Sequence, residues 1–304
     1  MQNRNVILVV GSMNTDMVVR TERMPKPGET VLGGEFMMNQ GGKGANQAVA
    51  AAKLGGNVVF VGKVGNDIFG SQTIEILNSI GVDTTYISKS DLKPSGVALI
   101  NVDAKGENSI TVASGANSML EPADIDAVEH MLDKVSFVVM QLESPIETVT
   151  YAAKLAKKHG ANVILNPAPA PSQPLPDDLL ENVDIIIPNT TEAELITGVS
   201  LAEEKGEVKA IEILGQKGID TVIITLGSKG ALVCDHGKIE HVPSFAVKAV
   251  DTTAAGDTFC GALTVALSEG KSLNDAVIFA NKAASISVTR MGAQPSIPTR
   301  DEIF

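Results

Sequence analysis

The chain has 304 residues, 44% of them hydrophobic and 20% charged, proportions of a folded globular protein that argue against wholesale disorder. A formal net charge of −12 and an aromatic content of 3% with no Trp exclude a general affinity for nucleic acid, by charge or by stacking, so a polyanionic ligand has to be held by local features. The two cysteines, Cys234 and Cys260, lie far apart in apolar surroundings, build neither a disulfide framework nor a zinc spacing, and favour a reducing compartment.

Residues 1–5 run into an apolar stretch, 6–10, that is too short for the hydrophobic region of a signal peptide. No run approaches the roughly 18 apolar residues of a membrane span, so a cytoplasmic protein without a membrane partner is expected. Residues 6–10 predict the first strand. Residues 16–38 then alternate apolar and polar character around a Pro25-Lys26-Pro27-Gly28 turn. A helix is predicted over 46–54, a strand over 57–61 and a helix over 71–79. Residues 96–113 read as a hairpin, with strands 97–102 and 109–113 around a turn at 103–108. Strands at 135–140, 163–165, 185–187 and 221–226 follow, with helices at 146–159 and 208–217 between them. The stretch 255–290 reads as helical with a break at 269–273.

Strands that are nearly continuous apolar runs, alternating with amphipathic helices, predict an α/β three-layer sandwich whose mostly parallel sheet is covered on both faces. Two segments, about 14–40 and 96–114, break that rhythm. They are either extra edge strands of the main sheet or a small β lid over the site, and the lid is the favoured reading. No long linker or internal repeat divides the chain, so 1–304 is expected to be one α/β domain carrying that lid.

Two motifs carry chemistry. Gly41-Gly42-Lys43-Gly44-Ala45-Asn46-Gln47 leads into an alanine-rich helix. Its glycines let a ligand approach the backbone and the helix start offers free N–H donors, although a purely structural turn would look the same. It is not a Walker A loop, because Gly44 follows Lys43 and Met37 stands where the first glycine would be. Lys43 and Asn46 suit a ligand with hydroxyls. The second motif is Asp251-Thr252-Thr253-Ala254-Ala255-Gly256-Asp257-Thr258-Phe259, followed by Gly261-Ala262-Leu263. Small residues at 254–256 open a helix whose first amides can bind the oxygens of a transferring phosphoryl group. Asp257 lies in that turn, where it can accept a proton from an attacking hydroxyl. The plain alternative is that Asp257 complements the helix dipole and Asp251 caps.

In this order and separation, the two motifs resemble the signatures of the ribokinase-like carbohydrate kinase family. The resemblance continues through Gly11-Ser12-Met13-Asn14-Thr15-Asp16, Pro27-Gly28-Glu29-Thr30, Gln141-Leu142-Glu143-Ser144-Pro145 and Asn166-Pro167-Ala168-Pro169. It extends through Pro188-Asn189-Thr190-Thr191-Glu192-Ala193-Glu194, Thr225-Leu226-Gly227-Ser228-Lys229-Gly230 and Val288-Thr289-Arg290-Met291-Gly292-Ala293-Gln294-Pro295-Ser296. Essentially the whole chain is covered without a large insertion.

The resemblance implies transfer of the γ-phosphate of ATP to a sugar hydroxyl, with the 5-hydroxyl of ribose as the expected acceptor. It implies sugar contacts at Asn14, Asp16, Gly42, Lys43, Asn46 and Glu143, with Asp257 as catalytic base and Ala254, Ala255, Gly256 and Asp257 as the anion hole. A carboxylate such as Asp16 offers several lone pairs to a vicinal diol. Asn189 and Glu192 are implied to place Mg²⁺ and the phosphates, partly through water; read alone, they make a helix capping box. ATP is expected along Thr225, Gly227, Ser228, Lys229 and Gly230, with Asn281 as a further contact. A monovalent cation, K⁺, is implied at Asp251, the carbonyl of Thr253, Ser287, Arg290, Gly292 and Ser296, mostly through backbone carbonyls. The half-apolar lid strands imply a homodimer formed lid to lid. Other acceptors on the same fold are 2-deoxyribose, fructose, a sugar acid or a nucleoside. The scarcity of aromatic side chains argues against a nucleoside, and the lack of a basic residue in the matched segments argues against a sugar acid. A non-catalytic sugar or nucleotide sensor is the reading from another class, and a dehydrogenase lacks its Gly-x-Gly-x-x-Gly turn after the first strand.

Overall fold

The computed structural model describes residues 4–170 and 173–303, so residues 1–3 of the N-terminal reading lie outside the described residues. The main sheet contains β1 (Val6–Val10), β4 (Asn57–Gly65), β5 (Asp83–Ser90), β8 (Val135–Met140), β9 (Asn162–Leu165), β10 (Ile185–Ile186), β11 (Thr221–Thr225), β12 (Ala231–Asp235) and β13 (Lys238–Val242). A second sheet contains β2 (Asn14–Arg20), β3 (Phe36–Gly41), β6 (Gly96–Val102) and β7 (Asn108–Ala113). The helices are α1 (Lys43–Lys53), α2 (Ile68–Ser79), α3 (Pro122–Asp126), α4 (Ile146–Lys158), α5 (Asp177–Leu180), α6 (Thr190–Thr197), α7 (Gly206–Gln216), α8 (Ala255–Ser268) and α9 (Leu273–Ser287).

The main sheet runs β13-β12-β11-β10-β9-β8-β1-β4-β5 and is parallel except at the β11-β12-β13 end. All five residues of β1 are buried because its two faces meet different cores. Ile7 and Val9 pack in the cluster that holds α1, α8 and α9. Val6, Leu8 and Val10 pack in the one that holds α4 and α7. Burying an aliphatic side chain this way contributes about 1.5–3 kcal/mol, which is why these strands read as unbroken apolar runs. Helices α1 and α8 lie very close: a Cβ at Gly261 would stand 2.6 Å from the Ala50 Cβ and 2.7 Å from the Gln47 carbonyl oxygen. That approach carries the N-termini of both helices to the carboxyl edge of the sheet, where parallel α/β sheets bind ligands.

Segments 14–41 and 96–113 form the second sheet, in the order β3-β2-β6-β7, and are not extra edge strands of the first. Strand β2 leaves the body immediately after β1, and β6 pairs with it in parallel from Gly96 opposite Asn14. The sheet's outer strand β7 is exposed along its length. Helix starts differ from expectation: α1 begins three residues early, at Lys43, because Gly42 takes φ 88° and sets the boundary. Among the described residues, no helix is long and apolar enough to cross a membrane.

Candidate functional site

At the carboxyl edge, the turn Gly11-Ser12-Met13 passes under the start of α1. A Cβ on Gly42 would lie 2.8 Å from both Met13 Cα and Asn14 N, so at φ 88° this position accepts only glycine. Glu143, just past β8, accepts hydrogen bonds from the Ser12 hydroxyl and, at 3.0 Å, from the Lys43 amide. It thus places a carboxylate on the positive end of α1 and ties it to β1 and β8. Asn14 is 4% exposed. Its Oδ1 accepts from Asn117 Nδ2 at 2.8 Å, and Asn117 also bonds both backbone groups of Met13, at 3.0 Å each. Asp16 follows on β2. Burial, then the charges of Glu143 and Asp257, push its carboxyl up to about 7.

Asp257, in the first turn of α8, is 7% exposed and reaches across to α1. Its carboxylate accepts from Asn46 Nδ2 at 2.9 Å and from Gln47 Nε2 at 3.0 Å. Gln47 is itself fixed: its Oε1 accepts from Gln141 at 2.6 Å, and its Nε2 also reaches Asn166 Oδ1 at 3.1 Å. Asn166 donates in turn to the Ile187 carbonyl at 2.8 Å. Burial raises the Asp257 pKa above the ordinary carboxylate range, while the Lys43 charge and the two amides oppose the rise. Burial would lower the pKa of Lys43, but Asp257, Glu143 and Glu192 together outweigh it and hold the side chain as an ammonium.

Helix α8 starts from Ala254 in the left-handed region, φ 58°, a strained setting for a residue with a side chain. The amides of Gly256 and Asp257 lie in a first turn that has no helical acceptor for them. A Cβ built on Gly256 meets nothing within 4 Å. The open space is a cavity of about 190 Å³ whose lining includes Lys43, Asn189, Glu192, Ala254, Gly256 and Asp257. Asn189 and Glu192 do form the capping box of α6, each side chain accepting from the other's amide, at 2.8 and 2.9 Å. They line the cavity as well, so both readings of this pair hold geometrically. Burial raises the Glu192 pKa against the pull of the Asn189 amide and Lys43.

A second cavity of about 450 Å³ shares Thr225, Thr252, Ala255 and Gly256 with the first and extends past Gly227, Ser228 and Gly230 to Phe245 and Asn281. Asn281 is buried and is no surface residue; its Nδ2 donates to the Val242 and Pro243 carbonyls at 3.3 Å each. Lys229 is exposed, does not line this cavity, and contributes its carbonyl to His241 Nε2 at 2.8 Å.

The segments expected to hold a monovalent cation are adjacent. Asp251 accepts from the Thr253 amide at 2.9 Å and hydroxyl at 2.6 Å, and from the Gly292 amide at 2.9 Å. Burial opposes ionisation, but these bonds outweigh it and hold the carboxyl below its ordinary range. The amides of Val250 and Asp251 both donate to Val288 O, and that of Arg290 to Ser287 O. Ser287 and Ser296 are buried, their hydroxyls donating to Ala284 O and Ala293 O. The Arg290 guanidinium turns outward to Glu302, leaving only its backbone facing this region. Among the described residues, no group of three or more His, Cys, Asp and Glu side chains is placed to hold a metal, so any cation here rests on carbonyls and single carboxylates.

Gln47, Asn117, Gln141 and Asn166 were not singled out by sequence reasoning. A signal existed for two of them: Gln141 and Asn166 are polar residues directly after apolar strands, at the ligand-binding edge. Asn117 and Gln47 carry no local signal, since their partners come from segments far away in sequence.

Residues 4–300 match the family described as pfkB family carbohydrate kinase. A ribokinase of Haemophilus influenzae is 48% identical over 98% of this chain and 97% of its own. A deoxyribokinase of Salmonella typhi is 43% identical over 97% of this chain and 96% of its own. The structure of Arabidopsis thaliana ribokinase complexed with ribose and ATP superposes with a TM-score of 0.90 at 36% identity, covering 98% of this chain and 96% of that one.

Proposed function

The chain belongs to the pfkB family of carbohydrate kinases, and from that premise we propose that it transfers the γ-phosphate of ATP to the 5-hydroxyl of ribose. The observation that carries the reading is the position of Asp257: a buried carboxylate, held by two side-chain amides, in a small polar cavity that shares its neighbours Ala255 and Gly256 with a longer one. Ribose lies at the β1–β2 turn and is read by Asn14, Asp16, Gly42, Asn46 and Glu143. Its terminal hydroxyl gives a proton to Asp257 as it attacks. The amides opening α8 receive the charge of the moving phosphoryl group, which transfers through positioning and charge neutralisation. Lys43 stands among these amides and Asp257, so it meets the phosphoryl group as well as the sugar.

ATP occupies the longer cavity, along Thr225, Gly227, Ser228, Gly230 and Asn281. Lys229 contributes only through its backbone. Asn189 and Glu192 suit Mg²⁺ held largely through water, since each keeps an acceptor lone pair beyond the capping box; bound there, the ion neutralises phosphate charge. The Asp251 carboxylate with the carbonyls of Thr253, Ser287, Arg290, Gly292 and Ser296 suits a K⁺ ion, an all-oxygen set with a single anionic group. The four-stranded sheet acts as a lid that excludes water from the transfer, on a chain that works as one domain. Phe36, Met38 and Leu99 share one face of that sheet and are exposed, which favours a homodimer formed through the lids. Two free buried cysteines accord with a cytoplasmic setting.

The test is ADP release from Mg-ATP with ribose, 2-deoxyribose, fructose and adenosine, with and without potassium, beside the variant Asp257→Asn. Ribose-dependent turnover, raised by potassium and lost in the variant, is expected. Turnover with 2-deoxyribose alone would move the substrate, and the deoxyribokinase relative makes that the specific rival. No sugar-dependent release at all would sink the kinase reading.

A further inference from the structure

The orientation of Asn14 follows from groups whose hydrogen-bonding roles are unambiguous. The Met13 amide can only donate, and it donates to Asn117 Oδ1 at 3.0 Å. The Met13 carbonyl can only accept, and it accepts from Asn117 Nδ2 at 3.0 Å. Asn117 is therefore fixed end for end, and its second Nδ2 hydrogen points at Asn14. The atom of Asn14 that faces it, at 2.8 Å, has to be the oxygen. The Asn14 Nδ2 is left as the free end of that amide, with no partner among the described residues.

The surroundings admit no other arrangement. A Cβ at Gly96 would sit 2.2 Å from Asn14 Oδ1 and 2.4 Å from Asn117 Nδ2, so the residue opposite Asn14 in β6 is glycine to make room for the amide pair. Asn117 is 2% exposed and lies in the short 3-10 turn Gly115–Met119 that leads out of lid strand β7. The start of β2, the start of β6 and the exit from β7 thus meet on one side chain.

Resting on the reading of Asn14 as a sugar contact, we propose that Asn117 is a positioning residue of the sugar site: it fixes Asn14 as a hydrogen-bond donor toward the substrate. Asn14 then supplies a donor and Asp16, two residues on, an acceptor. A pair of neighbouring hydroxyls meets both, one accepting from Asn14 and one donating to Asp16. Because Asn117 belongs to the lid's exit, the donor is set by how the lid joins the body.

The test compares Asn117→Asp, Asn117→Ala and Asn14→Ala with the double variant Asn14→Ala/Asn117→Asp. Asp at 117 keeps the acceptor for the Met13 amide but offers no donor to Asn14, whose amide then turns its own donor inward and presents oxygen to the sugar. We expect the ribose KM to rise about tenfold, the scale of one lost hydrogen bond, with the ATP KM and kcat at saturating ribose nearly unchanged. The double variant should match Asn14→Ala alone, since Asn117 acts only through Asn14. Asn117→Ala carries the same KM reading should the buried Asp prevent folding, which thermal melts would show. Multiplicative losses in the double variant, or an ATP KM raised as much as the ribose KM, would mean that Asn117 merely supports the fold and would overturn the proposal. If Asn14→Ala raises the ribose KM while neither substitution at 117 does, this inference alone fails. An unchanged ribose KM in Asn14→Ala removes Asn14 from the sugar site and the proposal with it.

Discussion

Two glycine-containing helix starts face each other across the small cavity, and they are small for opposite reasons. At α1, a Cβ on Gly44 would come within 2.6 Å of the Ser12 amide nitrogen, and one on Gly42 within 2.8 Å of the Met13 Cα. The protein's own backbone occupies that space. At α8, a Cβ on Gly256 would meet nothing within 4 Å. There the space is open, as the proposed phosphoryl cradle requires. A sequence reader sees Gly-Gly-Lys-Gly and Ala-Ala-Gly-Asp as similar anion-friendly turns, yet one is a packing device, beside the groups proposed to read the sugar, and the other an open turn. The contrast explains why Asp257, on the open side, depends on Asn46 and Gln47 from the packed side for its orientation.

The sharpest way to break this comparison acts where the two sides join. Asp257→Asn removes the proposed proton acceptor and should lower kcat by about 10²–10⁴-fold, while ribose and ATP still bind in a calorimetric titration. Retained turnover would show that the open side works without a base. Gly256→Ala is next. The added methyl enters the cavity, so kcat should fall by about 10²-fold, whereas the melting temperature holds or rises, alanine being the better helix residue. A drop in melting temperature would mean that this glycine, too, is a packing residue.

Gly42→Ala should behave in the reverse sense. It forces a side chain into φ 88° and into the Met13–Asn14 backbone, so about 1–3 kcal/mol of stability is lost, measurable by denaturant unfolding. If the refolded variant retains kcat and is changed mainly in ribose KM, the division of labour between the two helix starts holds.

The same distinction governs how much was legible in the sequence. Strands β1, β4, β8 and β11 were readable because most of their residues are buried and each carries a run of apolar side chains. Strands β5 and β13 escaped notice because they lie at the sheet's ends and mix exposed polar residues, as in Asp83-Thr84-Thr85-Tyr86 and Lys238-Ile239-Glu240-His241. Residues that line the small cavity were readable where they are neighbours in sequence, as in Ala254–Asp257. Gln47 was not, and for Gln141 and Asn166 only their place after apolar strands was, because what each bonds to lies 94 to 210 residues away and no local pattern encodes such a pairing. Lys229 shows the converse: it sits inside the motif, yet it is exposed and does not line the cavity that its neighbours line.

The smallest expected effect is also the most specific to the packed side. Burial and the charges of Glu143 and Asp257 raise the Asp16 pKa from its ordinary value of 3.8 to about 7. In the proposed complex, sugar hydroxyls donating to the carboxylate would stabilise its charged form and lower its pKa. Ribose binding then releases a proton. The ribose KM should fall as pH rises toward 7, by at most about tenfold per unit, and level off above it. Asp16→Asn should give a weaker but pH-independent KM over the same range. Stability runs the other way. A carboxyl whose folded pKa exceeds its unfolded value binds more protons when folded, so its ionisation costs stability as pH climbs from 3.8 to about 7. Asp16→Asn should therefore melt higher than the parent at pH 8, with the gain shrinking as pH falls toward 4. A parent ribose KM that is flat between pH 6 and 8 would show that Asp16 does not meet the sugar as a titrating carboxylate. A flat KM together with the stability gain would leave Asp16 crowded by Glu143 and Asp257 but turned away from the substrate.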